Sequence, residues 1–288
     1  MSEIENRSHL LSNNKLLKLY QFNSSIALNN FLRGFVDKNT KEYGNSYAVF
    51  HEKEIEILQR PPFVSRDSTY GEKPYNPITT EYVSELIELD KVFELSRHWN
   101  KTQLTVFRGG SLDELKTGGN TLVSTSEKDY VAITFCDESN PAILKIELPP
   151  NSPYIFPTFY SRNHEGFSYE REVILPPCEY EVLGEWKVGK NNLLNYQLDI
   201  FHDGMTKKVK LLNVKVKPKS LAKTFLERMN SLPADYPKEF LEGKHGEEFK
   251  MAKTMLEEYI KNYVNTGLVS ISDKKTKGRE VSEQAQPQ

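Results

Sequence analysis

The spacing of hydrophobic residues predicts a helical N-terminal part of the chain. Within residues 9–36, apolar residues recur at the three-to-four-residue spacing of a buried helix face. The same spacing follows Thr79 and Thr80, which are suited to cap a helix that runs to about Trp99. Between these segments, residues 43–78 are rich in proline, glycine and tyrosine and predict a long ordered loop. The side chains expected to face inward from the second helix are Val83, Leu86, Ile87, Phe93 and Leu95.

The middle of the chain changes to short strand-like runs separated by turns, with a short helix over Asp129–Phe135. In the last run, the alternation begun by Val209 and Leu211 changes phase at Leu212, which predicts a bulge. Strands that follow a helical block favour an α+β fold, and no G-x-G-x-x-G follows a strand, which excludes a Rossmann-type dinucleotide site. The predicted strands are Leu104–Arg108, Leu122–Ser126, Ala142–Leu148, Tyr154–Phe156, Glu170–Leu175, Tyr180–Trp186 and Lys208–Lys217.

Helical spacing returns in the C-terminal part of the chain. The segments Leu221–Leu232 and Phe249–Tyr263 predict a helical appendage over residues 219–270, which packs on the core or binds a partner or chaperone. Residues 271–288 have no aromatic residue and many lysine, glutamate, glutamine and serine residues, so we expect a disordered tail. The remaining chain is predicted to form one domain over residues 1–218, helical over 9–100 and β-rich over 101–218.

The composition is that of an ordinary globular protein, with 38% hydrophobic and 27% charged residues among 288. A formal net charge of −2 gives no basic surface of the kind that binds nucleic acid. Cys136 and Cys178 are too few for a disulfide framework, and we expect buried thiols. The six histidines lack zinc-binding spacings, so no metal is expected.

The chain shows no membrane-spanning stretch and no cleavable secretory signal. No segment approaches the ~20 apolar residues of a transmembrane helix. The first residues lack the basic and apolar regions of a signal peptide. We therefore expect a cytoplasmic protein in the producing cell, which would enter a host cell only through a specialised secretion system.

Two glutamates, Glu170 and Glu172, stand two residues apart at the start of a predicted strand. Because side chains alternate along a strand, the two carboxylates share one face and Val173 and Leu175 point to the other. Like charges this close cost free energy unless an electropositive substrate or hydrogen bonds offset them. An isolated pair of this kind is usually an exposed strand edge, so its meaning depends on the residues around it.

Two further motifs precede this pair. Arg108, followed by Gly109, ends a short strand, and Ser124, Thr125 and Ser126 end another. In this order, the three motifs resemble the arginine–serine–glutamate class of ADP-ribosyltransferases, NAD-consuming enzymes that include many bacterial toxins. Further upstream, Leu28–Gly34 resembles a helix that precedes the core of the toxins.

The resemblance covers roughly residues 15–218. It implies N-terminal helices and two packed, mainly antiparallel sheets that form a cleft for NAD. It also implies transfer of ADP-ribose from NAD to a target protein, by a toxin or delivered effector. NAD would be a co-substrate, and no metal would be needed.

The resemblance assigns different tasks to the two glutamates. Breaking the bond between nicotinamide and its ribose creates positive charge on the ribose, which a carboxylate stabilises, as in glycosidases. In the family, the second glutamate does this and bonds the ribose 2′-hydroxyl, which implies that role for Glu172. The first glutamate orients and helps deprotonate the acceptor. A glutamate there goes with arginine, a side chain that stays protonated at neutral pH, so Glu170 implies a target arginine.

The other motif residues are implied to bind NAD. Arg108 would contact a phosphate, although a salt-bridged strand-end arginine is the alternative. Gly109 lacks a Cβ, so that its main chain could bind the nicotinamide carboxamide. Phe135 would stack on nicotinamide or belong to the core. Asn29 and Arg33 would reach the phosphates or simply lie on a helix surface.

Ser124 is implied to hold Glu172 in place, while Thr125 and Ser126 would support the nicotinamide end. These hydroxyls could instead satisfy main-chain groups. The segment Phe159–Ser168 takes the place of the family's substrate-recognition loop, with aromatic side chains suited to protein docking.

Three functions remain open from the sequence. The first is a protein-arginine mono-ADP-ribosyltransferase, and the second is an NAD glycohydrolase, in which water is the acceptor. The third is a catalytically silent binding module with the same fold. Intact Arg108, Ser124 and Glu172 favour an enzyme, since a silent module has no need of all three.

Overall fold

The structure is a computed structural model. The residues that it describes are 28–29, 32, 78–112, 115, 119–136, 140–156, 171–188, 198–202, 205–232 and 238–264. The predicted loop over residues 43–78 lies almost entirely outside the described residues, and the predicted tail over 271–288 lies wholly outside them. Leu28, Asn29 and Leu32 are helical, as predicted for the N-terminal segment.

Helix α1 spans Thr80–Trp99, as the hydrophobic spacing predicts. The Thr79 hydroxyl accepts a hydrogen bond from the Tyr82 main-chain N–H at 3.2 Å, so the predicted cap is confirmed. A distant carboxylate reinforces this end. Glu248 Oε1 accepts hydrogen bonds from the main-chain N–H and the hydroxyl of Thr80, at 2.8 and 2.6 Å. These bonds lower the pKa of Glu248. Of the five side chains predicted to face inward, only Leu95 is partly exposed.

The described strands form a six-stranded mixed sheet and a separate two-stranded hairpin, which confirms the α+β class. The strands are β1 (Leu104–Ser111), β2 (Val123–Ser126), β3 (Pro141–Leu148), β4 (Glu172–Leu175), β5 (Cys178–Glu185), β6 (Asp199–His202), β7 (Met205–Lys208) and β8 (Lys210–Pro218). The order across the sheet is β4-β2-β1-β3-β8-β5, and β6 and β7 form the hairpin. Neighbours in the sheet are antiparallel except β3 and β8.

Two packed sheets are not seen among the described strands, so that part of the fold stays a prediction. β2 and β4 join the rest of the sheet through one register pair, Phe107 opposite Ser126. By comparison, β1 and β3 pair along the whole length of both strands. The β4–β2 pair is therefore attached at a corner, where it can diverge from the plane of the other strands.

The predicted strand Tyr154–Phe156 is absent. Ile155 forms only an isolated bridge with Ile174, and the two residues exchange main-chain hydrogen bonds at 3.0 and 2.9 Å. The first residue of β4 is Glu172 and Arg171 is not part of it, so the predicted strand also begins too early. The other predicted strands of the sheet begin and end within two residues of the observed strands. The exception is β1, which extends further, to Ser111.

The bulge predicted within the last strand is wrong. Val209 and Leu211 pack into one hydrophobic cluster, whereas Leu212 and its even-numbered neighbours pack into another on the opposite face. The alternation is therefore regular, and β8 places apolar side chains on both of its faces. The irregularity lies on its partner β5, where the register shifts between Val182 and Gly184. The predicted strand is also interrupted at Val209, which separates β7 from β8.

Three helices share one hydrophobic core. Besides α1, these are α3 (Leu221–Asn230) and α4 (Gly243–Tyr259), and a π-helical turn follows at Ile260–Val264. Phe225 and Leu256 are fully buried, in the same cluster as α1. Ile174 of β4 belongs to this cluster as well, so the helices cover one face at that end of the sheet. The division of the chain at Pro218 stays a prediction, and this packing favours a single core.

A buried carboxylate joins the three helices. Asp90 on α1 is only 1% exposed. Its Oδ1 accepts hydrogen bonds from the Ser220 hydroxyl and the Ala222 main-chain N–H, both at 3.1 Å. Its Oδ2 accepts a hydrogen bond from the Tyr259 hydroxyl at 2.9 Å. Burial raises the pKa of Asp90 above its ordinary value, and these hydrogen bonds offset only part of the effect.

Asp90 should make folding stability depend on pH. Since its pKa is higher in the folded protein, its protonated form is favoured by folding. The contribution is fully present below the unfolded pKa of about 4 and is lost as pH rises through the folded value. Asn at this position does not ionise. Urea unfolding of the wild type and Asp90→Asn should therefore show the wild type gaining stability relative to the variant as pH falls from neutral. Equal pH slopes for the two proteins would contradict the assignment.

Candidate active site

The structure brings Ser124 and Glu172 into direct contact. The Ser124 hydroxyl donates a hydrogen bond to Glu172 Oε1 at 2.6 Å. Strand register explains this contact, since Ser126 lies opposite Glu172 and Ser124 lies opposite Ile174. The serine and the carboxylate therefore share one face of the β2–β4 pair as diagonal neighbours. The contact implied by the motif resemblance is present, while the catalytic roles of the two residues stay predictions.

Arg108 is anchored on the same serine. Its Nη1 donates a hydrogen bond to the main-chain oxygen of Ser124 at 2.9 Å. The two segments meet because Phe107 of β1 lies opposite Ser126 of β2. A guanidinium presents five N–H donors, so this bond is compatible with a phosphate contact through other nitrogen atoms. Arg108 and Glu172, which belong to two separate motifs, thus both contact Ser124.

Gly109 is required for helix packing. After β2, the chain forms α2 (Asp129–Ala132) and a 3₁₀ turn (Ile133–Phe135), in agreement with the predicted short helix. A Cβ on Gly109 would lie 1.7 Å from the main-chain oxygen of Ala132. The space that a side chain would fill is thus occupied by α2, and not left open for a ligand. The main chain of Gly109 pairs with Ile143 of β3. Its proposed contact with nicotinamide stays a prediction.

Both other hydroxyls of the motif engage main-chain groups. Thr125 is buried, and its hydroxyl donates to the main-chain oxygen of Val173 at 2.7 Å. Ser126 accepts a hydrogen bond from the Lys128 main-chain N–H at 2.9 Å, at the turn that leads into α2. Of the two readings left open by the sequence, these contacts favour a role in holding the strand and turn. The role implied for them at the nicotinamide end stays a prediction.

Phe135 lies at the surface, on the 3₁₀ turn that follows α2. Its side chain is 60% exposed, and Tyr130 on α2 is 41% exposed. The core alternative for Phe135 is therefore wrong. Stacking on nicotinamide stays a prediction, and the ring is accessible for it.

The chain enters β4 through Arg171, whose φ of 45° lies in the left-handed region. Side chains alternate only along extended backbone, so the argument that Glu170 and Glu172 share one face fails at this residue. Glu170 itself lies outside the described residues, as does the predicted recognition loop Phe159–Ser168.

Asn29 has a structural task that sequence reasoning missed. Its Oδ1 accepts a hydrogen bond from the Leu122 main-chain N–H at 2.9 Å, and its Nδ2 donates to the Leu122 oxygen at 3.2 Å. This pairing ties the N-terminal helix to the residue that precedes β2, the strand that carries Ser124. No local signal could identify a partner 93 positions away. Arg33 lies outside the described residues.

Two kinds of feature are missing from the part of the chain that the structure describes. That part contains no group of three histidine, cysteine, aspartate or glutamate side chains that could hold a metal ion. None of its helices has the length and apolar character needed to cross a membrane.

Comparisons with known proteins show a distant structural likeness. No family model matches the chain, and no curated protein matches it. Among solved structures, the chain is similar to Exoenzyme S from Pseudomonas aeruginosa, solved in complex with human 14-3-3 protein beta and bound to carba-NAD. The identity is 12% and the TM-score 0.27, over 46% of this chain and 58% of that one. A likeness this weak carries no argument about function, so the functional case rests on the residues described above.

Proposed function

We propose that this protein is an ADP-ribosyltransferase, which transfers ADP-ribose from NAD to an arginine of a target protein and releases nicotinamide. The observation that carries the proposal is the hydrogen bond of 2.6 Å between Ser124 and Glu172, with Arg108 bound to the same serine. These residues come from the three motifs that together resemble the arginine–serine–glutamate class. By that resemblance, the protein would act as a toxin or delivered effector.

Glu172 is assigned to the cleavage step. NAD supplies the ADP-ribosyl group when the bond between its ribose and nicotinamide breaks, with the electron pair leaving on nicotinamide. The Glu172 carboxylate places negative charge where the ribose becomes positive, and it accepts a hydrogen bond from the ribose 2′-hydroxyl. Ser124 holds one carboxylate oxygen, so little reorganisation is needed as the charge develops.

Arg108 is assigned to NAD binding. A planar guanidinium suits a phosphate because it can donate two parallel hydrogen bonds. Its bond to the Ser124 main chain fixes it relative to Glu172, which keeps the phosphate-binding group and the carboxylate at a set separation. Phe135 is accessible on the neighbouring turn for stacking on nicotinamide.

Incubation with NAD labelled in its ADP-ribose part and a cell lysate tests the proposal. Label transferred to a lysate protein supports a transferase. Free ADP-ribose alone would indicate an NAD glycohydrolase, and neither product would indicate a silent binding module. Mass spectrometry of the labelled proteins would then identify the target and the modified side chain.

By the same motif resemblance, Glu170 should determine which side chain of the target protein accepts ADP-ribose. It would orient the guanidinium beside the ribose carbon and take the proton that the attacking nitrogen loses. We expect Glu170→Gln to lose most transfer to arginine and to retain NAD hydrolysis, because water needs no comparable deprotonation. Gel assays of transfer and chromatography of free ADP-ribose measure the two activities.

The chemistry of the product supplies the control for this prediction. An arginine linkage in the wild-type reaction should be labile to neutral hydroxylamine and resistant to mercuric ion. Modification mapped to asparagine, cysteine or a hydroxyl residue would refute the arginine assignment while leaving the transferase in place. Equal loss of both activities in Glu170→Gln would refute the separate role of this glutamate.

A further inference from the structure

Arg171 and Glu127 are joined by two hydrogen bonds. Arg171 Nε donates to Glu127 Oε2 at 2.6 Å, and the Glu127 main-chain N–H donates to the Arg171 oxygen at 3.3 Å. One bond uses both side chains and the other uses both main chains. We call this pair of contacts the Arg171–Glu127 clamp.

The clamp extends the β2–β4 ladder one step beyond the candidate catalytic residue. Glu127 follows the last residue of β2, Ser126, which lies opposite Glu172. β4 has four residues and is an edge strand of the described sheet. The end of a short edge strand frays readily, and here that end is Glu172. The clamp holds the chain immediately before it.

The backbone at Arg171 also needs to be held. Its φ of 45° is unfavourable for any residue with a Cβ, and arginine has no local side-chain contact that favours the left-handed region. Such a conformation persists when the surrounding contacts determine it. At Arg171 these contacts are the two hydrogen bonds with Glu127, whose side chain is 20% exposed. Burial, and then the negative charge of Glu127, raise the pKa of Tyr154 above its ordinary value.

We propose that Arg171, the middle residue of the glutamate pair, is a positioning residue that acts through Glu127. The clamp fixes the backbone conformation where the chain enters β4. It therefore fixes the direction in which the Glu172 side chain points. A displacement of about 1 Å in a catalytic group can cost roughly a hundredfold in rate. This inference rests on the proposed function, because it assigns the clamp to the same site.

Removal of the guanidinium tests the clamp. Arg171→Ala should lower kcat for NAD hydrolysis about tenfold and leave KM for NAD within about twofold. The reason is that bond cleavage depends on a correctly oriented Glu172 carboxylate more than NAD binding does. The exchanged pair Arg171→Glu with Glu127→Arg should recover most of kcat. The matched control is Arg97→Ala, which removes a similar Nε–Oε2 contact of 2.8 Å to Glu94 on α1.

Hydrogen exchange of the Glu127 amide supplies a readout that does not depend on activity. Exchange should accelerate in Arg171→Ala and stay unchanged in Arg97→Ala. Unchanged exchange in Arg171→Ala would overturn the clamp, and faster exchange with unchanged kcat would overturn its positioning role. If the wild type shows no NAD turnover, the proposed function fails. The exchange data then still decide whether Arg171 holds the entry to β4.

Discussion

Replacement of Glu172 by glutamine should lower ADP-ribose transfer and NAD hydrolysis together, by about 10²–10³-fold, the usual cost of removing an electrostatic stabiliser of a transition state. Glutamine nearly matches glutamate in shape, and its amide oxygen can still accept the hydrogen bond from Ser124. The change removes the negative charge and turns the second acceptor oxygen into an N–H donor. The fold should therefore survive, which circular dichroism and thermal unfolding would verify beside assays of both activities.

The matched control is Glu181→Gln. Glu181 lies on β5, which forms the edge of the described sheet opposite β4, and its side chain is exposed. The same change of charge there should leave both activities near the wild-type level. If Glu172→Gln retains more than a tenth of the wild-type activity, the catalytic role assigned to Glu172 is wrong.

Truncation after Pro218 should abolish folding. The truncated chain would lose α3 and α4, and α1 would expose the side chains that it buries against them. Asp90 would also lose all three of its described hydrogen-bond donors, and a buried carboxylate deprived of its partners is costly. The sequence alone suggested that residues 1–218 could fold without the C-terminal helices. Expression of this fragment, followed by gel filtration and circular dichroism, measures the outcome.

A chain shortened after residue 270, where the predicted tail begins, is the control and should remain folded. Phe225→Ala gives a milder form of the same test. This ring is fully buried, and its removal should lower the free energy of unfolding by about 3–5 kcal/mol. A soluble, cooperatively unfolding fragment 1–218 would show that the helices are indeed an appendage.

The sequence predicted best where a local pattern carries the information. The cap at Thr79 and the spacing of apolar residues were enough to predict α1. The order of the three motifs was enough to bring Arg108, Ser124 and Glu172 into one hypothesis before their contacts were known. In the first case the signal lies within a few neighbouring residues, and in the second it lies in three short motifs taken in order.

The sequence predicted less where the structure depends on a partner that is distant in the chain. A helical pattern shows that α3 and α4 bury one face, but not that α1 covers it. Leu211 and Leu212 looked like a change of phase because they pack into hydrophobic clusters on opposite faces of β8, which alternation alone cannot show. The left-handed backbone at Arg171 has no sequence signature, since it depends on contacts with Glu127, 44 positions away.

The order in which the core partners leave the ribosome has a consequence for the cell. About 120 residues separate the end of α1 at Trp99 from the start of α3 at Leu221. At the usual speed of translation, this is a delay of about 6–24 seconds, during which the apolar face of α1 has none of its C-terminal partners. Nascent chains in that interval should engage chaperones, and ribosome profiling of chaperone-bound chains should show binding that ends after α4 has emerged.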